Sequence, residues 1–227
     1  MRRMLRCFRA QTYRDKELIL VYESLDPAAR ELLAADGDAV SLVHVSTVPK
    51  QPLGALRNLG IRASRGKYVC GWDDDDWYAP RRLEAQLEHL IGTRADACVL
   101  RRWLMFDETR GQAYVSAPGT WEGSLICPRD LPALQQGYPP LPRGEDSVLI
   151  EQLTRRHRLV HLDRPELYVY TFHGQNTWEQ GHFEGLFQFG QGLAAHDTER
   201  LRALLSGGVL PPTAARQRRP VWRPRFS

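Results

Sequence analysis

Three short apolar runs, at 18–22, 40–45 and 67–72, alternate with stretches of helical spacing, and this alternation restricts the possible folds more than any other feature of the chain. Runs of this length bounded by polar or Gly/Pro signals are how strands buried on both faces of a parallel sheet read. The stretches 27–35, 53–63 and 80–91 carry the helical pattern, and Pro80 stands where a first helical turn tolerates a missing N–H. An α/β half with a mostly parallel sheet flanked by helices follows. Beyond Asp96 the rhythm shifts to shorter, more aromatic strands at 97–104, 112–116 and 123–127, a smaller β region. A helix at 145–154, strands at 159–162 and 167–172 and a helical end complete the pattern. There is no internal repeat.

The 227 residues, 42% of them hydrophobic, suffice for one sizeable core and not for two ordinary domains with linkers. We expect a single domain over 1–205, its halves at about 1–95 and 96–205, followed by a Pro/Arg-rich tail at 206–227. The formal net charge of +4 comes largely from the arginines between Arg216 and Arg225. Such a tail suits a solvated end or a polyanion. Cys7, Cys70, Cys98 and Cys127 lie too far apart for a zinc or redox motif, so reduced thiols are expected. The longest apolar run is far too short to span a bilayer, and the basic start has no apolar stretch behind it. The expectation is a cytoplasmic protein with no transmembrane segment.

Trp72-Asp73-Asp74-Asp75-Asp76-Trp77 puts four carboxylates at the C-terminal end of a predicted strand, the edge where open α/β sheets bind ligands. Adjacent carboxylates repel unless a cation or donor groups neutralise them, and their hard oxygens suit Mg²⁺ or Mn²⁺ bridging a diphosphate. The plainer alternative is an acidic turn before a helix, with Asp76 as the N-cap. Gly144-Glu145-Asp146 opens the helical pattern at 145–154, placing two carboxylates at a positive helix end where they could serve as a base or simply offset the dipole. His173, at a strand exit, is either a ligand or a backbone hydrogen-bonding imidazole. Trp121-Glu122 and His182-Phe183 have core packing as their default.

Taken together and in order, these residues resemble the family 2 glycosyltransferases of the GT-A fold, from about Phe8 to Phe183. Gln11-Thr-Tyr-Arg-Asp-Lys-Glu-Leu-Ile-Leu-Val21 is similar to that family's first helix end and second strand. Leu53-Gly-Ala-Leu-Arg-Asn-Leu-Gly60 resembles its helix with an Arg-Asn pair, Arg57 and Asn58. Gly66-Lys-Tyr-Val leads into the DXD pattern at Asp73-Asp74-Asp75, followed by Trp77, Pro80 and Leu83. Gly144-Glu-Asp146 matches the base motif, and His173-Gly-Gln-Asn-Thr-Trp178 resembles a late segment of some members.

The resemblance implies a GT-A-like mixed fold and an inverting, metal-dependent transfer of a sugar to an acceptor hydroxyl. Its donor would be a nucleotide-diphosphate sugar, a UDP-sugar first. By position, Asp73 would face the ribose, with Asp74, Arg57 and Asn58 beside the nucleotide sugar. Asp75 and His173 would hold Mn²⁺ or Mg²⁺. Asp146 would be the base and Glu145 its neighbour, with Trp121, Glu122 and Arg143 on the acceptor side. Two departures stand out. Family members begin with a further strand and turn, whereas this chain opens at what resembles the first helix, so the start lies upstream or another segment fills that place. After the second strand Val21-Tyr-Glu-Ser24 replaces consecutive aspartates, leaving Glu23 for the base or ribose. A non-catalytic sugar-nucleotide-binding module of the same fold is the alternative. A phosphoryl-transfer enzyme fits less well without a Walker-type loop. The acceptor is a glycan or, on the charge of the tail alone, a nucleic acid such as a hydroxymethylated base in DNA.

Overall fold

The computed structural model describes residues 1–24, 27–34, 40–45 and 49–207. Its first element is helix α1 (Arg2–Arg9), whose buried Met4, Leu5, Cys7 and Phe8 recur at helical spacing and turn one face inward. Strand β1 (Leu18–Tyr22), helix α2 (Pro27–Ala34), strand β2 (Val40–His44) and helix α3 (Leu53–Ala63) follow. β1 and β2 pair in parallel, Leu18 opposite Val40 through Tyr22 opposite His44, as the alternation predicts.

Next come β3 (Tyr68–Cys70), β4 (Trp77–Tyr78), α4 (Arg82–Gly92), β5 (Ala97–Leu100), β6 (Leu104–Asp107), β7 (Gln112–Val115) and β8 (Trp121–Pro128). The chain continues through α5 (Pro132–Gln136), α6 (Glu145–Arg156), β9 (Leu159–Leu162), β10 (Tyr168–Phe172), α7 (Gln180–Phe189), β11 (Gln191–Gly192) and α8 (Ala195–Leu205). One sheet runs β3-β8-β5-β9 and another β11-β7-β6-β10-β4. Parallel pairs, β5 with β9 and β6 with β10, are mixed with antiparallel ones, so the class is the expected mixed α/β.

Among the described residues β1 pairs only with β2, and β3 only with β8. The starts of β1 and β3 are tied instead by a side chain, Glu17, whose Oε1 accepts from the Gly66 N–H at 2.8 Å.

Local differences from expectation have physical causes. The predicted strand at 97–104 is two strands in different sheets, because the chain turns outward at Arg101-Arg102, where Arg102 meets the Asp163 carboxylate through two 2.7 Å contacts, before Trp103 returns to the core. Helix α4 begins at Arg82 rather than at Pro80, the residues before it forming a turn in which Arg82 N–H donates to Ala79 O at 2.9 Å. All four cysteines are free, and three are buried. The tail beyond 207 lies outside the described residues.

Two cores set the frame of the site. Tyr78, Leu100, Trp103, Met105, Tyr168, Phe172 and Phe183 pack together beneath the aspartate turn, while Ala97, Val99, Leu125, Leu149 and Leu153 seat α6 on β8 and β5. The end of β3, the end of β10 and the start of α6 thereby carry their motifs to one region.

Candidate functional site

The aspartate turn is held by its neighbours rather than by its own carboxylates. The Tyr78 hydroxyl accepts from Asp73 N–H at 2.6 Å and donates to Asp73 O at 3.1 Å. Trp72 stacks on the Tyr78 ring at 4.0 Å, and the Arg82 guanidinium lies 4.6 Å from the same ring, a buried cation against aromatic faces. On this frame the four carboxylates diverge. Asp76, 1% exposed, turns inward to accept from the Tyr168 hydroxyl and from Thr171 N–H at 2.9 Å. Burial first, then the charges of Asp75 and Asp73, hold its carboxyl well above the usual range. Asp76 is therefore not a helix cap: the N-cap of α4 is Arg81, and no side chain caps it. Asp74 points outward, 68% exposed.

Asp73 and Asp75 carry the turn's remaining carboxylates. Asp73 Oδ1 lies 3.6 Å from Arg57, and Asp75 Oδ2 lies 3.3 Å from both His173 Nε2 and Asn176 Nδ2. Arg3, from α1, donates to the Asp75 carbonyl at 2.9 Å. Burial, followed by Asp73, raises the Asp75 carboxyl above its ordinary value; the His173 contact works against this. No group of three or more His, Cys, Asp or Glu side chains converges for a metal among the described residues. The Asp75 carboxylate and the His173 imidazole are one oxygen and one nitrogen donor of the kinds Mn²⁺ accepts, fitting a cation that would take the rest of its shell from a diphosphate, whereas Asn176 turns its NH₂ toward Asp75 and its oxygen toward His173 N–H.

The second motif splits in the same way. Gly144 caps α6 at φ 72°, a conformation that costs glycine least, and Glu145 and Asp146 occupy the first turn. Glu145, 1% exposed, accepts from Arg57 Nε at 2.7 Å. It faces α3. Arg57 thus bridges Glu145 and Asp73. Burial opposes its charge, yet Asp73, Tyr138 and Glu145 outweigh that and hold its pKa above the ordinary value. Asp146 remains partly exposed, its Oδ1 accepting from Ser147 N–H at 2.9 Å.

Tyr170 reports the convergence of both motifs. Burial raises its phenol pKa, and Asp76, Asp73, Asp75 and Asp146 all add to the shift. Burial, with a further push from Asp146, raises the Glu122 carboxyl, while burial lowers His182 against the pull of Asp146, so both lie within electrostatic reach of that carboxylate. Trp121 stacks on Trp103 at 4.6 Å and leans on Tyr170 at 4.7 Å, with its Nε1 buried and unpartnered among the described residues. Glu23 Oε1 is likewise buried and unpartnered among them.

Asn58 stands apart from this group. Its amide clamps the backbone of Tyr138, donating to the carbonyl and accepting from the N–H at 2.8 Å each, which leaves it holding a loop. Arg143 pairs with Glu179 at 3.1 Å. Arg3, Tyr138, Tyr170 and Asn176 join the site without a signal of their own in the sequence. Only Asn176 lay within a motif that was singled out; the others are ordinary in sequence and become relevant through the folds that bring them in.

The family model Glycosyl transferase family 2 matches residues 1–142. EpsH of Bacillus subtilis (strain 168), named as a glycosyltransferase, is 30% identical over 108 residues, 48% of this chain and 31% of EpsH. The cholesterol galactosyltransferase of Borreliella burgdorferi is 25% identical over 96 residues, 42% of this chain and 27% of that protein. The matches thus span less than a third of the length of these relatives. S. aureus TarS 1–349 in complex with UDP-GlcNAc has a similar fold, with a TM-score of 0.61 at 15% identity, over 88% of this chain and 61% of that one.

Proposed function

This chain belongs to glycosyl transferase family 2, and we propose that it moves a sugar from a nucleotide-diphosphate sugar to an acceptor hydroxyl with inversion at the anomeric carbon. The observation that carries the proposal is Arg57, in contact at once with Asp73 of the aspartate turn and Glu145 of the base motif. It joins a donor-side carboxylate to the helix start from which Asp146 projects.

In this proposal the donor lies along Asp73, with the Glu23 oxygen that has no partner among the described residues accepting from a nucleobase N–H. The likeness to a fold crystallised with UDP-GlcNAc supports a UDP-sugar. Asp75 and His173 would hold Mn²⁺ or Mg²⁺, with Asn176 alongside; the cation's chemistry is to offset negative charge on the diphosphate. The chain's own residues do the rest. Asp146 accepts the acceptor hydroxyl proton as that oxygen bonds to the anomeric carbon and the bond to the diphosphate breaks. Glu145 keeps Arg57 in place rather than touching the acceptor. Trp121, Glu122 and Arg143 would lie on the acceptor side, Glu122 within electrostatic reach of Asp146. The charge behind a nucleic-acid acceptor belongs to the tail, outside the described residues.

The test is a panel of nucleotide sugars with Mn²⁺, wild type against Asp146→Asn. The expected result is UDP release and transfer by wild type, with transfer falling by about a hundredfold or more in the variant while UDP binding persists. Wild type that binds UDP-sugars yet never cleaves them would favour the non-catalytic module, and retained transfer by Asp146→Asn would move the base elsewhere. Nuclear magnetic resonance of the product checks inversion.

A further inference from the structure

The stretch from His173 to Glu179 leaves β10 and enters α7, and it touches both halves of the site. At its start His173 and Asn176 meet Asp75 Oδ2. Asn176 is itself locked, its Oδ1 accepting from His173 N–H at 3.0 Å and its Nδ2 donating to Thr171 O at 2.9 Å. Gly174 makes the turn at φ 81°, where a Cβ would be strained. At the far end Trp178 stacks on His182, centroids 4.6 Å apart and planes 19° from parallel. Arg143 lies 5.5 Å from the Trp178 ring and 3.1 Å from Glu179 Oε1. It also immediately precedes Gly144, the cap of the helix turn that bears Asp146.

We propose that this segment is a strap holding the base-bearing helix start in register with the Asp75 site, with Arg143, Trp178 and Glu179 as positioning residues. The inference rests on Asp146 being the base. Trp178 is 39% exposed, so burial alone does not account for its placement. An exposed Arg–Glu pair contributes little by itself. The stacking and cation–aromatic contacts around the indole add to it and give the grip a defined geometry. The Asp146 carboxylate accepts from the neighbouring Ser147 N–H, so its place follows from where the first turn of α6 sits. A catalytic group displaced by about an ångström can lose roughly a hundredfold in rate.

The experiment compares wild type, Trp178→Ala and Trp178→Phe as full chains, in three measurements. These are sugar-transfer kinetics with UDP-sugar and Mn²⁺, UDP affinity with Mn²⁺, and hydrogen–deuterium exchange of the amides at 145–149 without ligand. We expect Trp178→Ala to lower kcat by roughly tenfold to a hundredfold, to leave donor KM and UDP affinity unchanged, and to speed exchange at 145–149. Trp178→Phe, which keeps a stacking ring, should recover most of the loss. Unchanged exchange in Trp178→Ala overturns the strap, as does a loss of UDP affinity in step with kcat, or a Phe variant as impaired as the Ala one. If wild type fails to transfer sugar, the base assignment falls, while exchange still decides whether the strap grips the helix.

Discussion

Adjacent aspartates at the turn after β3 take different roles because the fold gives each a different surrounding. Asp76 is buried as a structural acceptor, Asp74 is solvated, and Asp75 is held at a raised pKa beside His173. A carboxyl whose pKa is raised in the folded state favours the fold most when protonated, below the unfolded value of about 3.9, and that contribution is lost as pH rises through the folded value. Asp75→Asn removes this penalty. The variant should therefore melt higher than wild type in chelator, by a margin that widens as pH is raised from 4 toward 8, and it should lose any stabilisation by Mn²⁺. Melting curves across that range check both; a margin that shrinks with pH would contradict the electrostatic account. Arg57 is the opposite case, a cation between two carboxylates. Arg57→Ala leaves Glu145 charged and buried, and should cost about 3–5 kcal/mol in denaturant unfolding. The double change Arg57→Met with Glu145→Met should recover much of that stability without recovering activity.

Helix α3 controls the site through a close approach that its sequence only hints at. Gly54 N–H donates to Leu141 O at 3.1 Å, and a Cβ at position 54 would stand 1.9 Å from Pro139 O and 3.3 Å from the Glu145 Cβ. Gly54→Ala must push α3 away from the 137–141 loop. Overpacking of this kind costs about 1–3 kcal/mol, and because the same helix carries Arg57 and Asn58 the loss should extend to transfer activity. Melting temperature and kcat measured together test this, with a normal melting temperature as the refuting result. The strands and helices themselves were largely legible: periodicity alone finds β1, β2, α3, β9 and β10 close to their observed bounds. The split of β5 from β6 and the two-residue β4 were not legible, because both depend on which sheet a neighbouring strand can reach.

At the scale of the whole molecule, the site exists only where three segments meet: the aspartate turn, the start of α6 and the exit of β10. A ligand that spans them should stabilise the native state as a unit. UDP with Mn²⁺ at about a hundred times its dissociation constant should add about 2.7 kcal/mol, and the rise in melting temperature should vanish when either component is omitted. A rise with Mn²⁺ alone equal to that with both would separate the cation from the nucleotide. What the sequence determined by itself is the α/β class, the placement of carboxylate motifs at strand and helix ends, and the family, since spacing and order survive without coordinates. What tertiary structure alone decided is the division of labour within each motif. Sequence places Glu145 and Asp146 side by side; packing buries Glu145 against Arg57 and leaves Asp146 partly exposed. Consecutive residues on a helix start point about 100° apart, and only the neighbouring helix, here α3, selects which of the two meets the Arg57 guanidinium and which stays partly exposed.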